Sequence, residues 1–154
     1  MKKAIFASGC FWGPEEKLSK IKGITKTEVG YCGGNNSKTS YEEVCAGQTN
    51  HAEVVKIEFD EKVISYEELV NFFFTIHDPT TFNRQGPNVG SQYRSEIFFC
   101  DDEQKKIAGK VKENLIYGMN FHHRLTELFS ITGNCSYNND EEIFEGRLGL
   151  LMNY

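Results

Sequence analysis

The sequence predicts one α+β domain over residues 1–154, with a sheet in one layer and helices in the other. The chain has 154 residues, of which 39% are hydrophobic, and this is the size of an ordinary domain with a single buried core. Segments typical of strands and helices roughly alternate, but two strands meet without a helix between them near Tyr31 to Ala52. That adjacency favours a two-layer α+β arrangement over a doubly wound parallel sheet.

The chain begins with a predicted strand and helix. Lys3 to Ala7 predicts a short strand, because its residues are apolar or favour β structure. A helix is predicted to follow, in which Pro14 suits the first position and Glu15 and Glu16 suit the positive end of the helix dipole. Gly23 is expected to end this helix.

Two further strands and a second helix complete the first half of the chain. The strands are predicted from Thr25 to Tyr31 and from Ala52 to Phe59, and the residues between them are expected to form loop and turn. Ser65-Tyr66-Glu67-Glu68 has the pattern of a capping box, which predicts a helix that runs through Ile76 and is closed by Pro79.

The second half of the chain opens with a long irregular stretch. Asp78 to Arg94 contains Pro, Gly, Asn and Thr without periodicity, so it is expected to be a loop. A loop of this length inside a domain is more often functional than idle, which makes it a second place to look for a site. A strand, a helix, a strand and a weak helix are predicted after it, over Ser95 to Cys100, Asp102 to Tyr117, Thr126 to Thr132 and Asp140 to Met152.

Composition and charge limit the classes of partner. The formal net charge of -5 and the pI near 5.4 give no electrostatic reason to expect nucleic acid or an anionic membrane. The apolar stretch before Cys10 is too short for a signal peptide, and the sequence has no apolar run long enough for a membrane span. We therefore expect a cytoplasmic protein that accommodates a neutral or small polar substrate and binds neither nucleic acid nor a membrane. We also expect a monomer, although composition does not determine the oligomeric state.

The cysteines suggest reactivity at a few positions rather than a structural framework. Five cysteines occur without a Cys-x-x-Cys motif, so neither a paired disulfide framework nor a zinc ribbon is indicated. Most buried cysteines are inert small hydrophobes, so one or two at most are expected to react. The five are Cys10, Cys32, Cys45, Cys100 and Cys135.

Cys10 is the cysteine with the most favourable context. It lies where a predicted strand ends and a predicted helix begins, so unpaired backbone N–H groups and the helix dipole would favour its thiolate. Glu15 and Glu16 would oppose this effect if they come close to the sulfur. Position alone therefore leaves an inert thiol as an equal alternative.

Five other residues are candidates for chemistry, each with an ordinary structural alternative. Phe11 and Trp12 would form an apolar pocket for a methyl group, although two aromatics at a strand end more often pack in the core. Glu53 would donate a proton if it is buried, because burial raises a carboxyl pKa, but it would otherwise be a solvated strand end. Tyr41 and Tyr93 would hydrogen-bond a substrate oxygen, or they would pack half-buried in turns.

The contexts of these residues are more specific than the residues alone. Six motifs occur in one order: Gly9-Cys10-Phe11-Trp12-Gly13, Gly30-Tyr31-Cys32-Gly33-Gly34, Tyr41-Glu42-Glu43-Val44-Cys45, His51-Ala52-Glu53-Val54-Val55, His77-Asp78-Pro79-Thr80-Thr81, and Arg84-Gln85-Gly86-Pro87 through Gln92-Tyr93-Arg94-Ser95. In content and order they resemble the methionine sulfoxide reductase A family over about residues 4 to 132. The resemblance implies a fold related to a two-layer sandwich with a ferredoxin-like core and a mixed sheet. It also implies a peptide-methionine (S)-S-oxide reductase that repairs oxidised proteins and reduces the free sulfoxide.

Roles for the candidate residues follow from the same resemblance. It makes Cys10 the nucleophile, Glu53 the acid, and Tyr41 and Tyr93 the ligands of the sulfoxide oxygen. Phe11 and Trp12 become the pocket for the substrate methyl group. Methionine and a sulfenic acid on the nucleophile are the expected products, and a thiol must then restore the enzyme.

The sequence departs from the family at one position of the irregular loop. The family usually has Asp where this chain has Asn88, and an amide can hydrogen-bond but cannot carry the charge. We expect function to survive with weaker substrate positioning, because the nucleophile, the acid and both phenols remain. A thiol redox sensor, or a binding module without turnover, is the alternative that Asn88 favours.

The route of recycling is left open by the sequence. Many members of the family carry resolving cysteines in a C-terminal extension, and no cysteine follows Cys135 in this sequence. An external thiol, either glutathione with glutaredoxin or thioredoxin, would reduce the sulfenic acid directly, or Cys32, Cys45 or Cys135 would act as an internal resolver. No bound cofactor is expected. No metal is expected either, because the cysteines and His51, His77, His122 and His123 lack a familiar ligand spacing.

Overall fold

The computed structural model describes residues 1–118, 130–132, 135–139 and 142–146. The strands are β1 (Lys2–Ser8), β2 (Ile24–Cys32), β3 (Ala52–Phe59), β4 (Arg84–Gln85), β5 (Asn88–Val89), β6 (Ser95–Phe98), β7 (Ser130–Thr132), β8 (Cys135–Asn139) and β9 (Glu142–Gly146). The helices are α1 (Trp12–Ser19), α2 (Tyr41–Cys45), α3 (Tyr66–Thr75) and α4 (Asp102–Gly118), and a single 3₁₀ turn spans Ser91–Tyr93.

Seven of the strands form one sheet, in the order β7-β6-β1-β3-β2-β8-β9. The β6–β7 pair is parallel and the pairs on the other side of β6 are antiparallel, so the sheet is mixed. The short strands β4 and β5 pair separately as a hairpin. The predicted α+β class is confirmed. β2 and β3 pair directly, but α2 lies between them in the chain, where no helix was expected.

The three longer helices cover one face of this sheet. Alternate residues of β3, such as Val55 and Ile57, point into a core that Leu18 of α1 and Phe73 of α3 also enter, and all four are at most 1% exposed. Truncation of a side chain such as Phe73 to alanine typically costs about 3–5 kcal/mol. The rest of this core comprises Ala4, Phe6, Phe11, Phe59, Tyr66, Leu69, Val70, Ile97, Ala108 and Val111.

Capping boxes fix where two helices begin. At α3 the Ser65 hydroxyl accepts the Glu68 N–H, and the Glu68 carboxylate accepts the Ser65 N–H at 2.8 Å, which confirms the helix predicted there. His77 follows α3 and joins it to the sheet, because one ring nitrogen lies 2.8 Å from the Phe73 carbonyl and the other lies 2.6 Å from the Ser95 hydroxyl. Helix α3 therefore holds the end of β6 that lies nearest Cys10.

Two predictions of local structure are wrong. The stretch between β2 and β3 is not only loop and turn, because α2 begins there with the same Ser-Tyr-Glu-Glu capping box, in which Ser40 and Glu43 exchange hydrogen bonds. A helix of five residues is too short to show helical periodicity, although its capping pattern was visible.

The second wrong prediction concerns the weak helix over Asp140 to Met152. Glu142 to Gly146 forms β9 instead, paired antiparallel with β8. Pairing with a neighbouring strand overrides a weak helix propensity, which glycine lowers further. The remainder of this prediction, and the first part of the strand predicted over Thr126 to Thr132, lie outside the described residues. Ser130 to Thr132 does form a strand.

Candidate active site

Cys10 lies between the end of β1 and the start of α1, as predicted. β1 ends at Ser8, and α1 begins at Trp12 with Phe11 as its N-cap. The Cys10 thiol is free, and the residue is partly exposed. Cys10 therefore lies at the end of the sheet where Ser95 of β6 pairs with Ser8 and where Glu53 of β3 bonds to Phe11.

The irregular loop after α3 closes against the turn that holds Cys10. Gly9 has a φ of +89°, and a Cβ built on it would lie 2.5 Å from the Cβ of Gln85. The Gln85 amide is held in turn by the backbone of Asp78, from which it accepts an N–H at 3.2 Å and to whose carbonyl it donates at 3.0 Å. The loop predicted as a second place for a site is therefore packed directly behind the nucleophile candidate.

Glu53 is buried beside Cys10. It lies at the start of β3, is 3% exposed, and accepts the Phe11 N–H at 3.1 Å. Burial raises the pKa of the Glu53 carboxyl, and the hydrogen bond from Phe11 opposes that rise without cancelling it. The condition that the sequence set for a proton donor, burial of this carboxyl, is met.

The two candidate phenols approach the same place from different elements. Tyr93 ends the 3₁₀ turn and is partly exposed, and burial raises its pKa, with the charges of Glu53, Cys45 and Cys10 adding to the rise. Tyr41 begins α2 and is 61% exposed. Its pKa is raised first by a hydrogen bond with Cys45 and also by the charges of Tyr93 and Glu53. Both phenols are thus neutral groups near the carboxyl.

The sequence left two roles open for Phe11 and Trp12, core packing and an apolar pocket, and the two residues differ in this respect. Phe11 is 8% exposed and belongs to the core, whereas Trp12 is 66% exposed. Their rings meet edge to face with centroids 5.3 Å apart. Core packing accounts for Phe11 but not for Trp12, whose exposed ring offers an apolar surface beside the thiol.

Tyr31 is a residue of this cluster that sequence reasoning did not single out. It lies on β2 directly opposite Glu53, and its ring centroid is 6.0 Å from that of Phe11. The motif Gly30-Tyr31-Cys32-Gly33-Gly34 was visible in the sequence, but the pairing register that brings Tyr31 to the carboxyl was not.

Asn88 lies on β5, opposite Gln85 in the hairpin, and is partly buried. Since Gln85 packs on Gly9, the hairpin brings Asn88 to the side of the molecule that carries Cys10. The Asn88 amide carries no formal charge. The carboxyl described beside Cys10 belongs to Glu53.

The other cysteines differ in their access to the site. Cys32 is fully buried and disulfide-bonded, whereas Cys45 is free and exposed at the end of α2. Cys100 is free but lies at the far end of the sheet, because Gln104 accepts its N–H and donates to the carbonyl of Lys3. The backbone of Cys135 lies in β8, which pairs with β2.

The part of the chain that the structure describes contains neither a cluster of metal ligands nor a membrane-spanning helix. Among those residues, no group of three or more His, Cys, Asp or Glu side chains is placed to hold a metal ion. His51 and His77 both bond within the fold, to the Asn36 carbonyl and to Phe73 and Ser95; His122 and His123 are not described. No described helix has both the length and the apolar character to cross a membrane.

Comparisons with known proteins agree on one family. A family model described as peptide methionine sulfoxide reductase matches residues 2–139. Peptide methionine sulfoxide reductase MsrA of Pelagibacter ubique is 62% identical over 111 residues, which are 72% of this chain and 76% of that protein. The corresponding protein of Methanothermobacter thermautotrophicus is 47% identical over 131 residues, which are 85% of this chain and 78% of that protein.

Solved structures are similar to the fold as well. The reduced form of Mxr1 from Saccharomyces cerevisiae has a TM-score of 0.75 and 39% identity, covering 84% of this chain and 74% of that one. Mxr1 in complex with Trx2 has a TM-score of 0.63 and 29% identity, covering 91% and 81%.

The packing behind Cys10 predicts that Gly9→Ala destabilises the protein and lowers its activity. A positive φ costs a side-chain-bearing residue about 1–2 kcal/mol, and the overlap with Gln85 adds about 1–3 kcal/mol. Urea unfolding of the parent and the variant measures the change in the free energy of unfolding.

Two glycines serve as matched controls. Gly47 has a φ of +72° and open space where a side chain would project, with no atom within 4 Å of a Cβ built on it, and Gly109 in α4 has open space without a positive φ. Gly47→Ala should cost only the backbone strain, and Gly109→Ala should stabilise by about 0.5–1 kcal/mol. Equal costs for Gly9→Ala and Gly47→Ala would contradict the proposed packing.

Proposed function

Since the chain belongs to the peptide methionine sulfoxide reductase family, we propose that it reduces the S epimer of methionine sulfoxide, free or within proteins, and so repairs oxidised proteins. One observation carries this proposal at the level of the site. Cys10 is a partly exposed residue with a free thiol, and the buried carboxyl of Glu53 accepts the N–H of Phe11, the residue that follows Cys10. The neutral phenol of Tyr93 lies in the same cluster.

In the proposed reaction Cys10 attacks the sulfur of the sulfoxide. Tyr41 and Tyr93 hydrogen-bond the sulfoxide oxygen, and Glu53 donates a proton to it as negative charge develops. The oxygen ends on the Cys10 sulfur, which becomes a sulfenic acid, while the substrate leaves as methionine. The sulfoxide is reduced by two electrons and the thiol is oxidised by two, so no bound cofactor takes part.

The substrate methyl group is proposed to lie against Trp12 and Phe11. The exposed indole and the ring that meets it at 5.3 Å support this. Asn88 is proposed to bind the substrate from the hairpin, through hydrogen bonds and without the charge of the usual Asp.

We also propose that the centre of the sheet is a ferredoxin-like core. The order β6-β1-β3-β2, with α1 between β1 and β2 and α3 between β3 and β6, supports this relationship.

A thiol reductant protein is proposed to return the enzyme to its reduced form. The complex of the similar protein Mxr1 with Trx2 supports a thioredoxin, and glutathione with glutaredoxin is the alternative. We place the enzyme in the cytoplasm as a monomer, and its net charge of -5 supports the proposal that neither nucleic acid nor a membrane is a partner.

For the internal step we propose Cys45 as the resolving cysteine. It is an exposed free thiol that is hydrogen-bonded to Tyr41, four positions earlier in α2. Cys45 and Cys10 both contribute to the raised pKa of Tyr93, so both lie near that phenol. Once methionine has left, the Cys45 thiol gives up its proton and its sulfur attacks the Cys10 sulfur. A disulfide forms, and the sulfenic hydroxyl leaves with that proton as water. A dithiol then reduces the bridge by exchange. Cys32 is less suited, because it is buried and already disulfide-bonded.

Separated R and S epimers of a methionine sulfoxide peptide, supplied with dithiothreitol, test the reaction. We expect multiple turnovers of the S epimer alone, and a loss of at least about 10³-fold in Cys10→Ser because the nucleophile is gone. The thiol sensor or binding module would instead bind the peptide without turnover, and that outcome would overturn the proposed enzyme.

Asn88→Asp tests the departure from the family. We expect the parent to be active and the Asp variant to have a lower KM for the S epimer by roughly 5- to 30-fold, because a charge-assisted hydrogen bond replaces a neutral one, worth about 1–2 kcal/mol. Steady-state kinetics measure the change. An inactive parent rescued by Asp would contradict the expectation that function survives.

Mass mapping after one turnover without reductant tests the resolver. We expect a stoichiometric bridge between Cys10 and Cys45, and a sulfenic acid that persists in Cys45→Ser because Cys100, the other free thiol among the described residues, lies at the far end of the sheet. Cys100→Ser is the matched control, since Cys100 lies at the far end of the sheet, and should form the bridge as the parent does. A bridge to Cys135 or Cys32, or none in the parent, would refute this role for Cys45.

A further inference from the structure

We propose that Tyr31 is a positioning residue of the active site, whose ring shields the Glu53 carboxyl from water and braces Phe11 in the aromatic wall. This inference deepens the proposed function and rests on it. Tyr31 acts here through Glu53 and Phe11, and no contact with the substrate or with the reacting atoms is assigned to it.

The first argument is the register of the sheet. β2 and β3 pair antiparallel with Tyr31 directly opposite Glu53. Residues opposite one another in an antiparallel pair point to the same face, with Cβ atoms about 4.5–5.5 Å apart. That face is the one covered by helices, because Val55, two residues after Glu53, belongs to the same core. The Tyr31 ring therefore stands next to the carboxyl on its buried side.

The second argument is that Phe11 contacts both the Glu53 carboxyl and the Tyr31 ring. Glu53 accepts the Phe11 N–H at 3.1 Å, and the ring of the same Phe11 lies 6.0 Å from the Tyr31 ring, tilted by 47°. Tyr31 thus flanks both the acceptor and the residue that supplies the donor. Phe11 also meets Trp12 edge to face. A change at Tyr31 that moves the Phe11 ring is therefore expected to move the exposed indole of Trp12 as well.

The third argument is the electrostatic setting. Burial first, and the charge of Glu53 second, raise the pKa of Tyr31 to about 12, so the phenol stays neutral at physiological pH. The titratable groups around the carboxyl are Tyr31 from β2, Tyr41 and Cys45 from α2, Tyr93 from the 3₁₀ turn and Cys10 before α1. A neutral ring among them excludes water from Glu53 without adding a charge.

Ordinary core packing is the competing role for Tyr31, since its ring also packs against the main core. The two roles differ in what a substitution changes. Loss of a packing residue lowers stability alone, whereas loss of the shield also lets water reach Glu53 and so lowers the pKa of the carboxyl. Because the reaction needs the protonated acid, activity falls as pH rises through that pKa, and the fall should begin at lower pH in the variant.

The experiment compares pH profiles of kcat and kcat/KM for Tyr31→Leu and Tyr31→Phe. In Tyr31→Leu we expect the alkaline fall in kcat to move down by about one pH unit and KM to rise several-fold as the aromatic wall loosens. Tyr31→Phe keeps the ring and should restore both. Tyr66→Leu is the matched control, because Tyr66 is a core tyrosine stacked on Phe6, and it should lower stability without moving the profile.

Titration of the Glu53 carboxyl by carbon NMR provides a readout that needs no turnover. A lowered carboxyl pKa in Tyr31→Leu, restored in Tyr31→Phe, would support the shield even if no sulfoxide were reduced, an outcome that would count against the proposed function alone. If Tyr31→Leu does not fold, Tyr31→Met is compared instead, since it preserves most of the buried volume. A folded variant with an unchanged carboxyl pKa and unchanged KM would overturn the inference.

Discussion

The hydrogen bond from the Phe11 N–H to the Glu53 carboxyl is the interaction on which the rest of the site depends. It joins the residue after Cys10 to the start of β3 in a place where Glu53 is only 3% exposed. Burial of a carboxylate with few partners is costly, and the protonated form avoids most of that cost. A single backbone donor orients the carboxyl and lowers its pKa by less than burial raises it. The site therefore combines a fixed carboxyl geometry with a pKa that is shifted toward the protonated form.

The surrounding fold supplies the rigidity that this bond needs. β1 ends beside β3 and β6, so the turn that carries Cys10 leaves the centre of the sheet rather than an edge. Gly9 gives that turn its positive φ and lets Gln85 close over it, while the Gln85 amide is tied to the Asp78 backbone. Part of a polar loop is thereby held against the turn that carries Cys10, as is common for loops that carry functional residues.

The same sheet places the cysteines in different surroundings. The sheet separates Cys100, linked through Gln104 to the start of β1, from Cys10 beyond the end of that strand. β2 buries Cys32 completely, whereas the short helix α2 carries Cys45 to the surface beside Tyr41. Cys100 is thus distinguished by its distance from Cys10, Cys32 by burial in a disulfide, and Cys45 by its exposure.

Local sequence was enough to predict the class of fold, the strand and helix on either side of Cys10 and the capping box at Ser65. Periodicity, caps and short motifs are carried by neighbouring residues, so these features can be recognised without the fold. The burial of Glu53, the position of Tyr31 opposite it and the strand β9 became known from the folded chain. Each of these depends on which strands pair and in what register, and hydrophobic pattern specifies the buried face of a strand without specifying its partner.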